Sequence, residues 1–436
     1  MPLRQIIHGE KRKEIFKMAN ENNSGLVLSV DGDLIADALS KLVNAAAPLL
    51  KIRSKKDKAQ VYIHAKDNKL ELQANGNGFS VLKTINNGFN VISAGEFSIP
   101  YKGANILAKR LGDARYTFTQ KDNSLTVEGD EPIFTLHGND NLFPDVFSDY
   151  ANAGSENFIT LPKSELYRLL NSTLYAVATN DDCPIFTAVN FKVANDTLTL
   201  TATDTHRLAM AATTKIALQG EFNCNIRSDV LRFILPLLKK EGEVQISLSS
   251  LHEVKISLNG FDIITRCLEG DFPDCARLVA PSSPIIATVN RSELKAAINL
   301  CKYFADAHNS ITLCFTNDSV EVSAENYSTV KYETKTVKSG GSAFVPVQAA
   351  VRGIGQDYAS ANFNVNYLLD TLKSCGNTNI TLGLSENALT SREENQVALM
   401  SPLKGSVTLP KVLPAIAPST YENVTTIDID AKVKVA

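Results

Sequence analysis

The 436 residues contain no Cys-x-x-Cys pair, and the cysteine count of seven is odd. That leaves neither a zinc-binding spacing nor a closed disulfide frame, and it points to free thiols in a reducing compartment. The six histidines are scattered rather than set at metal-ligand intervals, so we expect no metal and no cofactor. No apolar run approaches the roughly 20 residues that cross a bilayer, and the N-terminus lacks the hydrophobic stretch of a secretory signal. A cytoplasmic protein is the expectation. A glycine-rich phosphate loop, a carboxylate cluster and a nucleophile in a glycine-flanked turn are all missing, which leaves most catalytic classes without an anchor. Charge is balanced as well: 44 Lys and Arg against 47 Asp and Glu give a net charge of −3. This excludes a wholly basic nucleic-acid coat but leaves room for local basic surfaces.

What is present is repetition. The length suggests about three domains at 100 to 200 residues each, and a hydrophobic content of 44% with 21% charged residues is that of an ordinary globular protein. A strand running into a helix occurs at Leu26, again at Phe158 and again at Ile286. Strand, turn and strand follow each one, at 60–85, 186–213 and 311–336. A second strand into a helix comes next, at Phe97, Cys224 and Phe363, and two more strands close each unit. We expect an α+β chain of three similar domains, 25–153, 154–283 and 284–404, each with two helices and antiparallel sheets. Residues 1–24 and 405–436 are extensions. The second carries prolines at 410, 414 and 418 and ends in a possible short strand around Thr426–Asp430.

The helices carry basic stripes. Lys102, Asn105 and Lys109 share a face opposite Ile106, Leu107 and Leu111; Lys295, Asn299 and Lys302 do so opposite Leu294, Ala297, Ile298 and Cys301. Arg232 with Lys239, and Arg168 with Asn171, repeat the arrangement, while Asp33, Asp37 and Asp370 interrupt it. Solvated helix faces are commonly charged, so no single stripe carries weight. Recurrence at equivalent positions of three repeats does, because a cationic lining is what sequence-independent phosphate contact requires.

One stretch, Thr199 to Met210, stands out. Threonine alternates with apolar residues as in a strand, and Asp204, His206 and Arg207 fall where that strand should turn. Taken alone this is a turn whose Asp caps backbone amides, or, as a remote alternative, a nucleic-acid hydrolase centre using Asp204 and His206. Ala202-Thr-Asp-Thr-His-Arg-Leu-Ala, however, is similar to the Ala-Thr-Asp-Gly-His-Arg-Leu-Ala of the bacterial DNA polymerase III beta subunit, the sliding clamp family. Phe272-Pro-Asp-Cys-Ala-Arg-Leu, Phe363-Asn-Val-Asn-Tyr-Leu-Leu-Asp and Met400-Ser-Pro-Leu resemble the same family in the same order.

The resemblance spans about residues 26 to 404 and implies a non-enzymatic processivity factor. Two chains would close head to tail around duplex DNA, with helices lining the hole and Lys51, Arg53, Lys102, Lys109, Arg168, Arg232, Lys239, Lys295, Lys302 and Lys373 facing it. A dimer seam is implied between an edge strand around Leu125 and the helix end at Tyr303 and Phe304. A pocket for short peptides of the DNA polymerase, the clamp loader and other DNA-metabolism proteins is implied at Phe186, Thr203, Thr205, His206, Arg207 and Leu208, with Pro273, Arg277 and Leu278. Asn364, Tyr367, Leu399, Met400, Ser401 and Pro402 complete it. Leu208, Leu278, Leu399 and Met400 are expected as its apolar floor, and Arg207 and Arg277 as its rim. A clamp-like scaffold without ring closure is the alternative.

Thr205 departs from the family's glycine. A β-branched residue tolerates φ > 0 poorly, so a reshaped turn or a narrower rim is expected. The extension past residue 404 is a second departure, free to cover the pocket, bind elsewhere or hang loose.

Overall fold

A computed structural model of the protein describes residues 25–51, 59–66, 68–129, 133–138, 157–180, 182–279, 283–331, 336–355 and 357–410. Most of the N-terminal and C-terminal extensions, Arg53 and the expected terminal strand lie outside them. Six α-helices are found among the described residues, two to a repeat as the pattern predicts: α1 (Gly32–Ala46), α2 (Tyr101–Arg110), α3 (Lys163–Thr173), α4 (Ser228–Ile234), α5 (Arg291–Cys301) and α6 (Val365–Ser374). None is long and apolar enough to cross a membrane.

Helix starts follow local chemistry. Asn290 caps α5, its side chain accepting from the backbone N–H of Ser292 and Glu293, and Asn364 caps α6 through Asn366 and Tyr367. On α2 the buried stripe is Ala104, Leu107 and Leu111, whereas Ile106 is 46% exposed. The expectation that Ile106 faces the core is therefore corrected: one residue from Leu107 is a turn of about 100° around the helix, off the i, i+3, i+7 stripe. On α5 the expected Leu294, Ala297, Ile298 and Cys301 are all buried.

The chain packs as two compact units, and the second repeat contributes to both. The first unit takes residues up to Leu161, 217–221 and 232–267. Its five-stranded sheet runs Phe89–Ser93, Val27–Asp31, Arg115–Lys121, Ser124–Glu128, Phe134–His137. Leu125 is fully buried on the fourth of these strands, and the edge is Phe134–His137. Leu125 is thus a core residue on an inner strand, a correction to its expected place on an edge strand. The same unit holds a nine-stranded sheet, in which Phe261–Thr265 of the second repeat pairs antiparallel with Phe79–Lys83 of the first.

The second unit takes 162–216, 222–231 and residues from 268 on. It holds one twelve-stranded sheet, in which Arg207–Ala211 pairs antiparallel with Gln396–Met400. This join between strands of the second and third repeats builds the site described next.

Candidate partner-binding site

The strands Thr197–Thr203 and Arg207–Thr213 form a hairpin, and the three residues between them make a self-contained turn. Oδ1 of Asp204 accepts from the backbone N–H of His206 and of Arg207, at 3.0 and 2.9 Å. Thr203 Oγ1 accepts from the Thr205 N–H and donates to the Arg207 carbonyl. Asp204 is therefore a turn cap, as its sequence context suggests. Thr205 sits at φ 75°, in the left-handed conformation that glycine adopts without steric cost. The capping bonds hold a β-branched residue where it is strained by about 1 to 2 kcal/mol. Thr205→Gly should accordingly raise stability by about 1 kcal/mol, after the entropic cost of glycine is subtracted. Denaturant unfolding checks this, and a loss of stability would show that the threonine side chain makes a compensating contact.

Arg207 is the residue on which the site is organised. Its side chain is only 10% exposed, with Nε 2.9 Å from Asp204 Oδ2 and Nη1 3.0 Å from Asp370 Oδ2 on α6. The guanidinium lies 4.3 Å from the ring centre of Tyr367 and 5.5 Å from that of Tyr175. Burial pushes the Tyr175 hydroxyl up to about 12, so this ring stays neutral. The expectation that Arg207 rims the pocket is corrected: its side chain is buried, with Nε and Nη1 on two carboxylates and the guanidinium near two aromatic rings. Asp370, which interrupts a basic stripe in the sequence, is explained by the same contact.

The register of Arg207–Ala211 against Gln396–Met400 sorts the apolar residues onto two faces. Leu208 opposes Leu399 on one face, where Leu208, Met210, Cys275 and Val397 form a small core overlaid by half-buried Phe272, Val279 and Leu399. Arg207 opposes Met400 on the other face. Met400 is 3% exposed and belongs to the core of the third repeat, beside Leu294, Leu368 and Leu389. Its expected place on the pocket floor is corrected for that reason: the period-2 alternation of a strand sends adjacent residues 399 and 400 to opposite sides.

Pro273, Arg277 and Leu278, chain neighbours of Phe272, Cys275 and Val279, are all exposed; Leu278 is 62% open, and Arg277 pairs with Asp274 at 3.0 Å. The rings of Phe186 and Phe272 meet edge to face with centroids 6.2 Å apart. Ser401 N–H donates to the His206 carbonyl, so the chain after the strand stays fastened to the turn, with His206 and Ser401 exposed and Pro402 half-buried. Asn364 and Tyr367 enter through α6, the first as its cap and the second under Arg207. Phe272, Val279, Tyr175 and Asp370 are the members missing from the sequence-derived set. Phe272 and Asp370 lie within the motifs Phe272-Pro-Asp-Cys-Ala-Arg-Leu and Phe363-Asn-Val-Asn-Tyr-Leu-Leu-Asp, whereas nothing local marks Val279 and Tyr175.

The basic residues differ in exposure and in what they touch. Lys51, Lys102, Lys109, Arg232, Lys239, Lys302 and Lys373 are exposed and Lys295 is half-buried. Lys302 reaches Asn366, and Lys373 reaches Asp370. Arg168 is held by Glu165 at 3.0 Å and donates to the Ala212 carbonyl at 2.8 Å, which makes it a packing residue of α3 rather than an open phosphate ligand. Burial works to raise the Glu165 carboxyl, but hydrogen bonds from Lys215 and Arg168 outweigh it and leave the group below its ordinary value.

Comparison with known proteins bears on this arrangement. Residues 160–274 match the family described as DNA polymerase III beta subunit, central domain. The beta sliding clamp of Synechococcus elongatus is 28% identical over 300 residues, covering 67% of this chain and 76% of its own length. That of Staphylococcus aureus is 25% identical over 299 residues, covering 67% and 74%. The DNA polymerase sliding clamp of Bacillus subtilis superposes with a TM-score of 0.72 at 21% identity, over 87% of this chain and 99% of the other. A sliding clamp of Pseudomonas aeruginosa solved with griselimycin bound gives 0.72 at 20% identity, over 87% and 100%.

Proposed function

We propose that the chain, which is similar to bacterial DNA polymerase III beta subunits, is a DNA sliding clamp, two copies of which close head to tail around duplex DNA and tether a polymerase through the Leu208 face. Three clamp domains, 25–153, 154–283 and 284–404, would supply the six of the ring. The observation that supports the tethering most is the apolar surface of half-buried Phe272, Val279 and Leu399 with Leu278 open beside it. An exposed leucine next to a preformed apolar cluster suits a short extended peptide with hydrophobic anchors, and Arg277 at the edge suits its backbone or a carboxylate. The polymerase, the clamp loader and other DNA-metabolism proteins are the partners this reading names. No catalytic step is assigned: both carboxylate oxygens of Asp204 are taken up by its own turn and by Arg207. The cytoplasm, on chromosomal DNA, is the place of action that goes with this role.

DNA would be held by topology, with Lys102, Lys109, Lys295 and Lys302 giving loose, salt-sensitive contact to phosphates. The seam in this reading joins the Tyr303 and Phe304 end of α5, where Tyr303 is 86% exposed, to the Phe134–His137 edge of a second copy. The test is retention on DNA. Rings loaded on a closed circle should stay and be lost when the circle is cut, and Lys295→Glu with Lys302→Glu should lower loading several-fold without unfolding the chain. Equal loss from cut and uncut circles, with a solution mass of one chain, would leave a scaffold without ring closure.

A further inference from the structure

The twelve-stranded sheet ends on the strand Ala359–Asn364, and that strand does nothing by itself to prevent another chain from pairing with it. Ala359, Ala361 and Phe363 are fully buried against the core, and the alternate positions are Ser, Asn and Asn. The strand has no charge, no proline and no glycine along its six residues. Natural edges are commonly blunted by shortness, charge or proline. Three other edges of this protein are: Ala217–Gln219 has three residues, Phe134–His137 four, and Gly95–Pro100 carries Glu96 and ends in proline.

What covers Ala359–Asn364 is the chain just beyond the clamp core. Ser360 N–H donates to the Thr408 carbonyl at 2.9 Å, and Thr408 N–H donates back to Ser360 at 2.7 Å. Leu403 N–H donates to the Asn362 carbonyl at 2.8 Å, and Asn362 N–H donates to Ser406 Oγ at 3.1 Å. The outward backbone donors and acceptors of Ser360 and Asn362 are thus satisfied by one segment. Val407 and Leu409 pack against the core of the third repeat, and Pro410, which has no N–H to continue pairing, is buried where the contact stops.

We infer that residues 403–409 are a built-in guard segment, and that the edge they occupy is a strand-addition surface which, when uncovered, accepts the same edge of a second copy of this chain. An unguarded, uncharged six-residue edge offers main-chain hydrogen bonds to any extended partner, and an identical edge is the partner present at the highest matching concentration. The contact differs from the proposed ring seam and does not depend on it. It also places the start of the C-terminal extension on this edge, among the three fates left open by the sequence.

The test uses the full chain. In the wild type, the amides of Ser360 and Asn362 should exchange with solvent slowly, as ladder amides do, and Ser406→Ala should speed exchange at Asn362 at least 10-fold while leaving the fold intact. Thr408→Pro removes a donor that Ser360 uses, and sedimentation velocity should then show a concentration-dependent rise, at least 5-fold, in species heavier than the wild-type assembly. Adding Ser360→Lys to Thr408→Pro should return the distribution to that of the wild type, because a lysine on the bare edge disfavours pairing. Fast exchange at both amides in the wild type, or heavy species that persist when Ser360→Lys is added, would overturn the inference.

Discussion

Arg207→Ala should destabilise the protein by about 3 kcal/mol and abolish binding of a clamp-binding peptide. Removing one partner of a buried ion pair costs about 3 to 5 kcal/mol because the remaining charge stays buried without compensation. The lower end applies here, since Asp370 is 34% exposed and retains Lys373 at 3.3 Å, whereas Asp204 is only 12% exposed. Binding fails along with stability because the turn that carries Thr205 and His206 loses its tie to α6. Arg207→Lys should not rescue: a lysine ammonium lacks the planar fork whose Nε and Nη1 reach the two carboxylates and whose face stacks on aromatic rings. Urea unfolding and peptide titration measure the two effects. A loss below 1 kcal/mol would mean that the turn is held by its own capping bonds alone.

Met400→Ala and Leu278→Ala should separate the two faces of one sheet. Met400 is buried in the third repeat, and truncating a buried methionine costs about 2 to 4 kcal/mol through lost contacts and the cavity left behind. Peptide affinity of the folded fraction should change little, because the side chain lies on the face opposite Leu208 and Leu399. Leu278 is 62% exposed, so its truncation should leave stability within about 0.5 kcal/mol. It should weaken the peptide roughly 10- to 30-fold, the cost of losing a hydrophobic anchor contact. If Met400→Ala instead lowers affinity at unchanged stability, the assignment of residues to faces is wrong.

These contrasts mark the division between what the sequence determined and what tertiary structure decided. Periodicity set the elements: Thr199–Met210 reads as a hairpin and forms one, and the α5 stripe of Leu294, Ala297, Ile298 and Cys301 is buried as its spacing requires. Local hydrogen-bond chemistry set the turn and the caps, because Asp204, Asn290 and Asn364 act on amides two or three residues away. The motifs were enough to mark the resemblance that the comparisons also find. They did not separate an available charge from an occupied one. Arg207 looks like a surface cation until Asp370, 163 residues distant in sequence, is brought beside it, and Arg168 likewise until the Ala212 carbonyl arrives. Nor did alternation say which face of a strand meets which neighbour: Met400 and Leu399 are equally apolar, and only the register with Arg207–Ala211 sends one into the third-repeat core and the other to the candidate surface. Burial of Leu125 and pairing of Thr408 with Ser360 belong to the same class, since both depend on strand neighbours far apart in the chain. Local sequence encodes the period and the turn; partners for charges and edges are fixed only when the sheets assemble.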